Sequence, residues 1–452
     1  MKKYFASVLM SSVLLCSPVR AETIFEALGE AYNSNPDLQA QRAYLRSVDE
    51  NVAIAKSGYR PSIDLTGGYN DTRNNNDSNN NDDGSRTSSI GARISQPLFN
   101  GLSTYNSVRA ADSTVRAEQY NLSNYEQSVF LSASEAYLNV VRDAAIVDLQ
   151  KSNEKLLKKQ LDETIERFNV GELTRTDVAQ ARSSLSQATA SRISAEGNLQ
   201  VSRAVYKQII GRQPENLKEP DNIHEFLPAT FEQALDYTMV NNYDVLAAKQ
   251  ALAAREYTVK ANYGSLLPQI AATGEVAQVK NDPKHSGLND STVDSVEFGV
   301  NLTVPLYDAG ENRAIIRQSK YAKWQAHEQV LSAERLAVSS ITSYWESMVA
   351  NDAMIKALQD QVKANEIALD GVKKEEALGN RTVLDVLNAY QSLLDSKVDV
   401  VKARREYYLS AMQVMQAMGK LTAENLKLNV ELYHPKQHYK ETRDKWFSLS
   451  AD

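Results

Sequence analysis

The strongest constraint on the fold is that the chain states one pattern twice. Ala27-Leu28 recurs as Ala234-Leu235, and Pro61 recurs as Pro268, in both cases 207 residues later. The later matches, which are 208 residues apart, are Gly171 with Gly379, Thr174 with Thr382, Asp177 with Asp385 and Gly211 with Gly419. A repeat of this length predicts two copies of one supersecondary unit, so a functional interpretation must explain a doubled structure.

Residues 1–21 have the features of a secretory leader. A basic start precedes an apolar stretch from Phe5 to Leu15, and small residues stand just before Glu22. The apolar stretch is shorter than the roughly 20 residues that a spanning helix needs. Two alternatives are an uncleaved anchor and a lipoprotein modified at Cys16, although a lipoprotein signal prefers a small residue before the cysteine. We expect an exported protein that starts at Glu22.

Composition excludes several classes of function. Cys16 is the only cysteine, so a processed chain has no disulfide, no zinc–thiolate site and no cysteine nucleophile. The formal net charge of −7 disfavours nucleic acid as a partner, because binding to phosphate relies on cationic side chains. No phosphate-binding glycine loop, serine nucleophile box or zinc-protease motif is present. The sequence therefore predicts no catalytic residues, no metal site, no cofactor and no enzyme.

Glycine and proline are sparse, at 18 and 11 in 452 residues, which favours long helices. Apolar residues at three-and-four spacing predict helices over 24–59, 100–169 and 174–210, and again over 230–266, 310–378 and 381–418. A continuous helix from 100 to 169 is about 105 Å long at 1.5 Å per residue. Such helices exceed the usual globular length and indicate antiparallel coiled-coil packing.

Between these helices, short segments alternate apolar and polar residues and predict strands over 62–69, 89–98, 269–279 and 295–306. The strongly polar stretches 71–86 and 280–293 are predicted as solvated loops. The resulting division of the chain is a signal peptide 1–21, a first repeat 22–211 with a hairpin 62–98, a linker 212–229, a second repeat 230–419 with a hairpin 269–306, and a C-terminal segment 420–452. In that last segment we expect Trp446 to anchor the tail by packing and His434 and His438 to be solvated.

Alternating strands in an exported chain without a spanning helix are typical of a membrane β-barrel. Strands cross lipid only as a closed barrel, in which every backbone group is paired. Four strands are too few for one chain to close alone, because single-chain barrels begin at eight. Several chains must therefore contribute, and the polar long helices must project into the periplasm. The alternative is a pair of soluble hairpins that cap a helical bundle.

Over residues 22 to about 430 the chain resembles the TolC-like outer membrane factor family. The motifs that carry the resemblance are Pro97-Leu98-Phe99-Asn100 with Pro305-Leu306-Tyr307-Asp308, Arg167-Phe168-Asn169-Val170-Gly171 with Leu378-Gly379-Asn380-Arg381-Thr382, and Pro61 with Pro268. No single motif is specific, but all of them occur in order, twice.

The resemblance implies a mainly α fold with a small β membrane part. Three identical chains would form a twelve-stranded outer-membrane barrel and a long periplasmic α-barrel of coiled-coil helices. The periplasmic end would close like an iris and open when a periplasmic adaptor (a membrane fusion protein) and an inner-membrane ABC, RND or MFS transporter dock. Such a duct expels proteins, drugs or bile salts from a Gram-negative cell.

The resemblance also implies roles for residues near the two predicted helix turns. Asp385 matches a family carboxylate that forms a cation-attracting ring at the tunnel entrance, but Asn388 stands where the family has a second acidic residue. Arg381 matches a latch residue that would contact Thr176 and Asp177.

The other latch residue of the family, a tyrosine, is replaced here by Glu376, which could pair with an arginine. An alternative to these roles is that Asp177 and Asp385 only occupy the first turn of a helix, where negative charge is favourable.

Six further residues are expected to shape the backbone. Gly171 and Gly379 should supply a positive φ at the turns, where adaptor contacts cluster in the family. The four prolines expected at junctions between strands and helices are Pro61, Pro97, Pro268 and Pro305. Two other functions remain open: a pore-less periplasmic coiled-coil or adhesin-like structural protein, and an adaptor, for which no lipoyl-like β-domain is evident.

Overall fold

The computed structural model of the protein describes residues 22–75, 82–220, 223–284 and 289–450. The predicted leader 1–21 with Cys16, and the centres of the two predicted polar loops, lie outside the described residues. In the first repeat the elements are α1 (Ile24–Ser34), α2 (Pro36–Ser57), β1 (Ser62–Asn75), β2 (Asp82–Asn100), α3 (Ser103–Asn169) and α4 (Arg175–Ile210).

The second half repeats this order. Its elements are α5 (Phe231–Asn241), α6 (Tyr243–Tyr263), β3 (Gln269–Pro283), β4 (Ser291–Thr303), α7 (Glu311–Ala377) and α8 (Val383–Ala417), and a short α9 (Pro435–Thr442) follows. The long helices α3 and α7 have 67 residues each, about 100 Å at 1.5 Å per residue. Each packs against the helix that returns from it, α4 or α8, and α3 also contacts α6 and α8.

The prediction of two long helices was therefore correct to within a few residues at each end. Across the residues that the structure describes, no helix combines the length and the apolarity that crossing a bilayer requires.

The predicted single helices 24–59 and 230–266 were wrong, because each is divided in two. Asn35 ends α1 and caps α2, since its side-chain oxygen accepts hydrogen bonds from the backbone of Asp37 and Leu38 at 3.0 and 3.1 Å. Asn242 does the same between α5 and α6. An asparagine competes with the helix for backbone hydrogen bonds, and in the first repeat Pro36 then starts the new helix.

These two asparagines also tie each repeat together. The Asn35 amide donates to the carbonyl of Ile209 at 3.1 Å, and the Asn242 amide donates to the carbonyl of Ala417 at 3.0 Å. Both acceptors are among the last carbonyls of a helix, which have no partner within the helix itself. At each break, the asparagine therefore satisfies a carbonyl at the C-terminal end of its own repeat.

The strands are longer than predicted, because they extend into both polar stretches. β1 continues to Asn75 and β3 to Pro283, while β2 and β4 begin at Asp82 and Ser291. The polar side chains in these extensions pair across strands: Asp71 accepts from Lys284 and lies 3.8 Å from Arg86. The polar composition of these stretches did not reveal that the backbone hydrogen bonds of the sheet continue through their described ends.

Three of the four prolines stand at strand ends. Pro61 and Pro268 directly precede β1 and β3, and Pro305 follows the end of β4 by two residues. Pro97 does not close its strand as predicted, because β2 continues to Asn100. The pairing of β2 with β3 shifts register just after Pro97, and such an irregularity tolerates a residue that lacks a backbone N–H.

The largest core lies where the ends of both repeats meet the C-terminal segment. It contains fully buried side chains such as Phe130, Met412 and Leu421, from α3, α8 and the segment after α8. At its margin the carboxylate of Glu22 accepts hydrogen bonds from the Tyr206 hydroxyl and the Arg212 guanidinium, both at 2.6 Å. This core and the hydrogen bonds of Glu22 fix the relative positions of the long helices.

The C-terminal segment is docked, so the prediction that His438 is solvated was wrong. His438 Nδ1 lies 2.8 Å from Oδ2 of Asp49, a fully buried residue of α2. The hydroxyl of Tyr439 donates to Asp112 Oδ1 at 2.6 Å. Pro435 begins α9, because proline suits the first helical position.

A buried carboxyl group makes the stability of the folded protein depend on pH. Glu126 accepts a hydrogen bond from the backbone of Ala423 at 2.7 Å, and burial raises its pKa to about 7. Because the folded pKa exceeds the unfolded value, the folded state favours the protonated form, and stability falls as pH rises from about 4.5 to about 7. The loss approaches roughly 3 kcal/mol for a shift of this size.

Glu126→Gln should therefore flatten this dependence between pH 5 and 8. Thermal unfolding midpoints of the detergent-solubilised wild type and variant, compared across that range, test the expectation. The same pH slope in both proteins would contradict it.

Candidate functional site

The four strands form one antiparallel sheet in the order β1-β2-β3-β4, and its two faces differ in chemistry. In the observed register Ile63 lies opposite Ile94, Ala92 opposite Val276, and Val276 opposite Val296. The large apolar residues that share this apolar face and are exposed in the single chain are Ile63, Leu65, Tyr69, Ile90, Ile94, Val276, Val296, Phe298, Val300 and Leu302. A monomer that exposes such a surface needs a cover for it.

The opposite, polar face carries a row of charges. Asp64, Arg93, Glu275 and Glu297 are successive register partners across all four strands. The guanidinium of Arg93 lies 2.6 Å from the carboxylate of Glu275. A sheet with one apolar face and one charged face suits a wall between lipid and water.

The dimensions of the apolar face agree with that use. On β3 it runs from Ile270 to Val276, about 20 Å at 3.4 Å per residue, which is close to the ~25 Å apolar band of outer-membrane barrels. Phe298 is 82% exposed, and its ring covers Gly274 on the neighbouring strand. β1 and β4 are the edge strands, so each offers a row of backbone groups to a further strand.

At the far ends of the long helices, two tight turns are built alike. Gly171 and Gly379 have φ of +86° and +79°, as the sequence predicted. After Gly171, the backbone N–H of Glu172 donates to the carbonyl of Arg167 at 2.9 Å; after Gly379, that of Asn380 donates to Glu375 at the same distance. This pairing satisfies the last carbonyls of a helix and requires the left-handed backbone that glycine adopts readily. We call these the entrance turns.

Asp177 and Asp385 occupy equivalent positions just after the entrance turns, where each closes a capping box. One carboxylate oxygen of Asp385 accepts from both the backbone N–H and the hydroxyl of Thr382 at 2.9 Å. These hydrogen bonds, helped by Arg381, lower the pKa of Asp385, so it is charged at neutral pH. Asn388, nearly one turn further along α8, is exposed.

Glu376 forms the closest ion pair between the two entrance turns. Its carboxylate lies 2.6 Å from Nη1 of Arg167, and its side chain is only 11% exposed. Arg167 also donates to Glu172 at 3.1 Å, and the hydrogen bond to Glu376 is the main cause of its raised pKa. Beside this pair, a small core joins α3 and α4 to α7 and α8 through Leu157, Ala188, Leu369 and Val386.

Arg381 has a different partner from the one that the resemblance implied. Within the described chain its guanidinium lies 2.9 Å from Glu375, in the same turn. Asp177 is engaged by Thr174, and Thr176 is exposed. Within the described chain Arg381 does not reach Thr176 or Asp177, so this contact stays a prediction.

The expectation that Glu376 could pair with an arginine agrees with the structure, in which Arg167 is the partner. Arg167 and Glu375 occupy equivalent positions in the two repeats and carry opposite charges, which indicates complementary turns. The capping boxes were missed, although the sequence contained their signal. The spacing Thr-x-x-Asp at Thr174 and Thr382 is the pattern of a capping box. The specific partner of Glu376 depended on which helices lie side by side.

Comparisons with known proteins agree with this architecture. The family model described as outer membrane efflux protein matches residues 27–212 and 234–420. The outer membrane efflux protein BepC of Brucella suis is 37% identical over 445 residues, covering 98% of this chain and 96% of BepC. The outer membrane protein TolC of Escherichia coli is 26% identical over 427 residues, covering 92% and 86%.

Solved structures share the fold at lower identity. The outer membrane channel CmeC of Campylobacter jejuni superposes with a TM-score of 0.75 at 18% identity, covering 94% of this chain and 89% of that one. The open-state outer membrane channel MtrE of Neisseria gonorrhoeae gives 0.70 at 21% identity, covering 88% of each. Because the family model matches both repeats and BepC is 37% identical over nearly the whole of both chains, this chain belongs to the outer membrane efflux protein family.

Proposed function

We propose that three copies of this outer membrane efflux protein close their sheets into one twelve-stranded barrel, edge to edge. The observation that carries the proposal is the sheet with one apolar face, one charged face and two unpaired edges. Pairing β4 of one copy with β1 of the next removes every edge and turns the apolar faces to lipid. The charged row at Asp64, Arg93, Glu275 and Glu297 then lines the water-filled interior.

In this assembly the helices extend the duct into the periplasm. The division into repeats 22–211 and 230–419, joined by the linker 212–229 and completed by the segment 420–452, gives three chains six similar parts around one axis. The entrance turns at Gly171 and Gly379 lie at the far end, where an adaptor and an inner-membrane ABC, RND or MFS transporter would dock. Proteins, drugs or bile salts would then leave through a passive channel.

We further propose that the entrance turns form the gate. Asp385 supplies one carboxylate per chain, so the trimer carries a ring of three at the entrance, and Asn388 adds polarity without charge. Arg167 with Glu376 holds the two helix pairs of one chain together. Arg381 with Thr176 and Asp177 would act between chains.

Outer-membrane fractionation, followed by conductance of the purified protein in planar bilayers, tests the duct. The absence of conductance from an assembled protein would favour the pore-less coiled-coil or adhesin-like alternative.

Strand pairing is tested by Thr66→Cys on β1 combined with Asn301→Cys on β4, cross-linked with flexible bismaleimides. We expect dimer and trimer ladders on denaturing gels, whereas cysteines placed on the central strands β2 and β3 should give none.

Replacement of Asp385 should weaken cation preference. Asp385→Asn removes the charge and keeps an oxygen that can accept from Thr382, so the helix start is retained while the ring of carboxylates is lost. We expect the reversal potential in a salt gradient to move toward zero. Asp37→Asn, which makes the same change in the first turn of α2 and away from the entrance turns, is the matched control for local effects. An unchanged reversal potential in Asp385→Asn would refute the ring.

A further inference from the structure

The last described residues expose three large apolar side chains within four positions. Trp446 is 59% exposed, Phe447 is 91% exposed, and Leu449 is fully exposed. The rings of Trp446 and Phe447 lie 6.1 Å apart and form one aromatic surface. The sequence predicted that Trp446 anchors the tail by packing; Arg60 does stack on its ring, but most of the residue is exposed. Such a surface at a chain end needs a partner.

The tail is held at the junction between α2 and β1. Lys56 Nζ lies 2.5 Å from the carboxylate of Asp444, and Arg60 donates to the carbonyl of Lys445 at 3.0 Å. The Arg60 guanidinium also stacks on the Trp446 ring, 4.5 Å from its centre. These contacts join residues that are far apart in sequence, so this part of the tail has a defined position.

That position is level with the start of the apolar face. Arg60 stands three residues before Ile63, the first apolar residue that β1 contributes, which is about 10 Å along an extended chain. If the apolar face meets lipid, as proposed above, the aromatic surface lies at the periplasmic boundary of the bilayer. Tyr59, also exposed, adds a further aromatic residue at this level.

The composition of the tail fits a phospholipid interface. Tryptophan favours the zone between headgroups and acyl chains, where its ring is partly apolar and partly polar. Arg443 and Lys445 stand within three residues of Trp446 in the sequence, where Asp444 offsets part of their charge. Cations near a membrane surface attract anionic headgroups.

We propose that Trp446, Phe447 and Leu449 form an interfacial anchor that inserts into the inner phospholipid leaflet of the outer membrane. The anchor lies outside the barrel and adds lipid contact beside β1. Because Lys56 and Arg60 tie it to the end of α2, it also fixes the depth at which the helices leave the membrane. This inference rests on the proposed spanning of the sheet.

The test uses tryptophan fluorescence of the full-length protein. The chain contains three tryptophans, so Trp324→Phe with Trp345→Phe leaves Trp446 as the single emitter. The trimer is reconstituted into vesicles of phosphatidylethanolamine and phosphatidylglycerol, part of whose acyl chains are brominated near the headgroup. We expect bromolipid to reduce the emission of Trp446 roughly twofold, as for a side chain at the interface, and aqueous iodide to have little effect.

A second emitter separates this inference from the proposed function. Phe298→Trp, made with all three native tryptophans replaced by phenylalanine and measured in vesicles whose acyl chains are brominated near their ends, reports whether the apolar face meets lipid. Quenching of this variant by bromolipid, without quenching of Trp446, would overturn the anchor and leave the barrel intact. Strong iodide quenching of Trp446 would then indicate solvent, and quenching by neither agent would indicate a neighbouring subunit. If neither emitter senses lipid, the spanning sheet itself is wrong.

Discussion

Phe298→Arg should abolish the membrane-inserted trimer. Phe298 lies within the apolar face, 82% exposed in the single chain, and its ring covers Gly274. An arginine near the middle of the bilayer on the lipid side of a barrel costs about 2–4 kcal/mol, and the trimer would incur that cost three times. We therefore expect the variant to be lost from outer-membrane fractions and to give no bilayer conductance.

The adjacent position supplies a matched control. Glu297 points to the polar face, opposite Glu275 in the register of β3 with β4. Glu297→Arg introduces the same side chain one residue away, where it would meet water and a carboxylate. We expect this variant to insert normally. If Phe298→Arg inserts as well as Glu297→Arg, the apolar face does not contact lipid, and the sheet is a soluble cap on the helices.

Glu376→Ala should open the channel. This change removes the carboxylate that pairs with Arg167 at 2.6 Å and leaves the guanidinium without its closest partner. A charge-assisted bond at a half-buried site contributes ~1–2 kcal/mol, after allowing for the solvent that reaches Arg167. Because three equivalent pairs would open together, the closed-to-open equilibrium should shift by on the order of 100-fold or more. Single-channel recordings should show a higher mean conductance.

Two further variants make this result specific. The exchanged pair Arg167→Glu with Glu376→Arg keeps opposite charges in contact and, with Glu172→Gln to avoid a new repulsion, should restore low conductance. Arg381→Ala removes an exposed guanidinium that, within one chain, pairs only with Glu375 among the described residues. Increased conductance in Arg381→Ala would indicate a second latch that involves this guanidinium, and the same effect in Asp177→Asn would support Asp177 as its partner. If Glu376→Ala conducts like the wild type, the gate does not depend on this pair.

The sequence predicted the architecture well because the architecture depends on local patterns. Sparse glycine and proline, together with three-and-four spacing, determine two helices of 67 residues. Glycine at Gly171 and Gly379 permits the positive φ that reverses the chain, and the duplication predicts that whatever happens at one turn recurs at the other. Each of these signals acts over a few residues, or over one exact repeat.

The same local reasoning failed where a side chain competes with the backbone. Asn35 and Asn242 divide predicted helices because their side chains cap new ones, and each also bonds to a carbonyl at the end of a distant helix. The strands continue into polar stretches because hydrogen bonds to a neighbouring strand outweigh the composition. Neither the helical spacing nor the polarity of the sequence reveals these competing hydrogen bonds, although Asn35 followed by Pro36 is a known signal for a helix break.

By itself the sequence determined a doubled helical unit with two hairpins, two glycine turns and a carboxylate after each turn. Only the tertiary structure decided which charges meet. Glu376 pairs with Arg167 because packing of α3 and α4 against α8 brings together two turns that are about 200 residues apart in the chain. Arg381 pairs with Glu375 within its own turn. The tertiary structure also decided that the tail reaches back to Arg60 and turns its aromatic surface outward. A charged residue in the sequence indicates only which type of residue can pair with it, whereas the distances between side chains in the fold determine the actual partner.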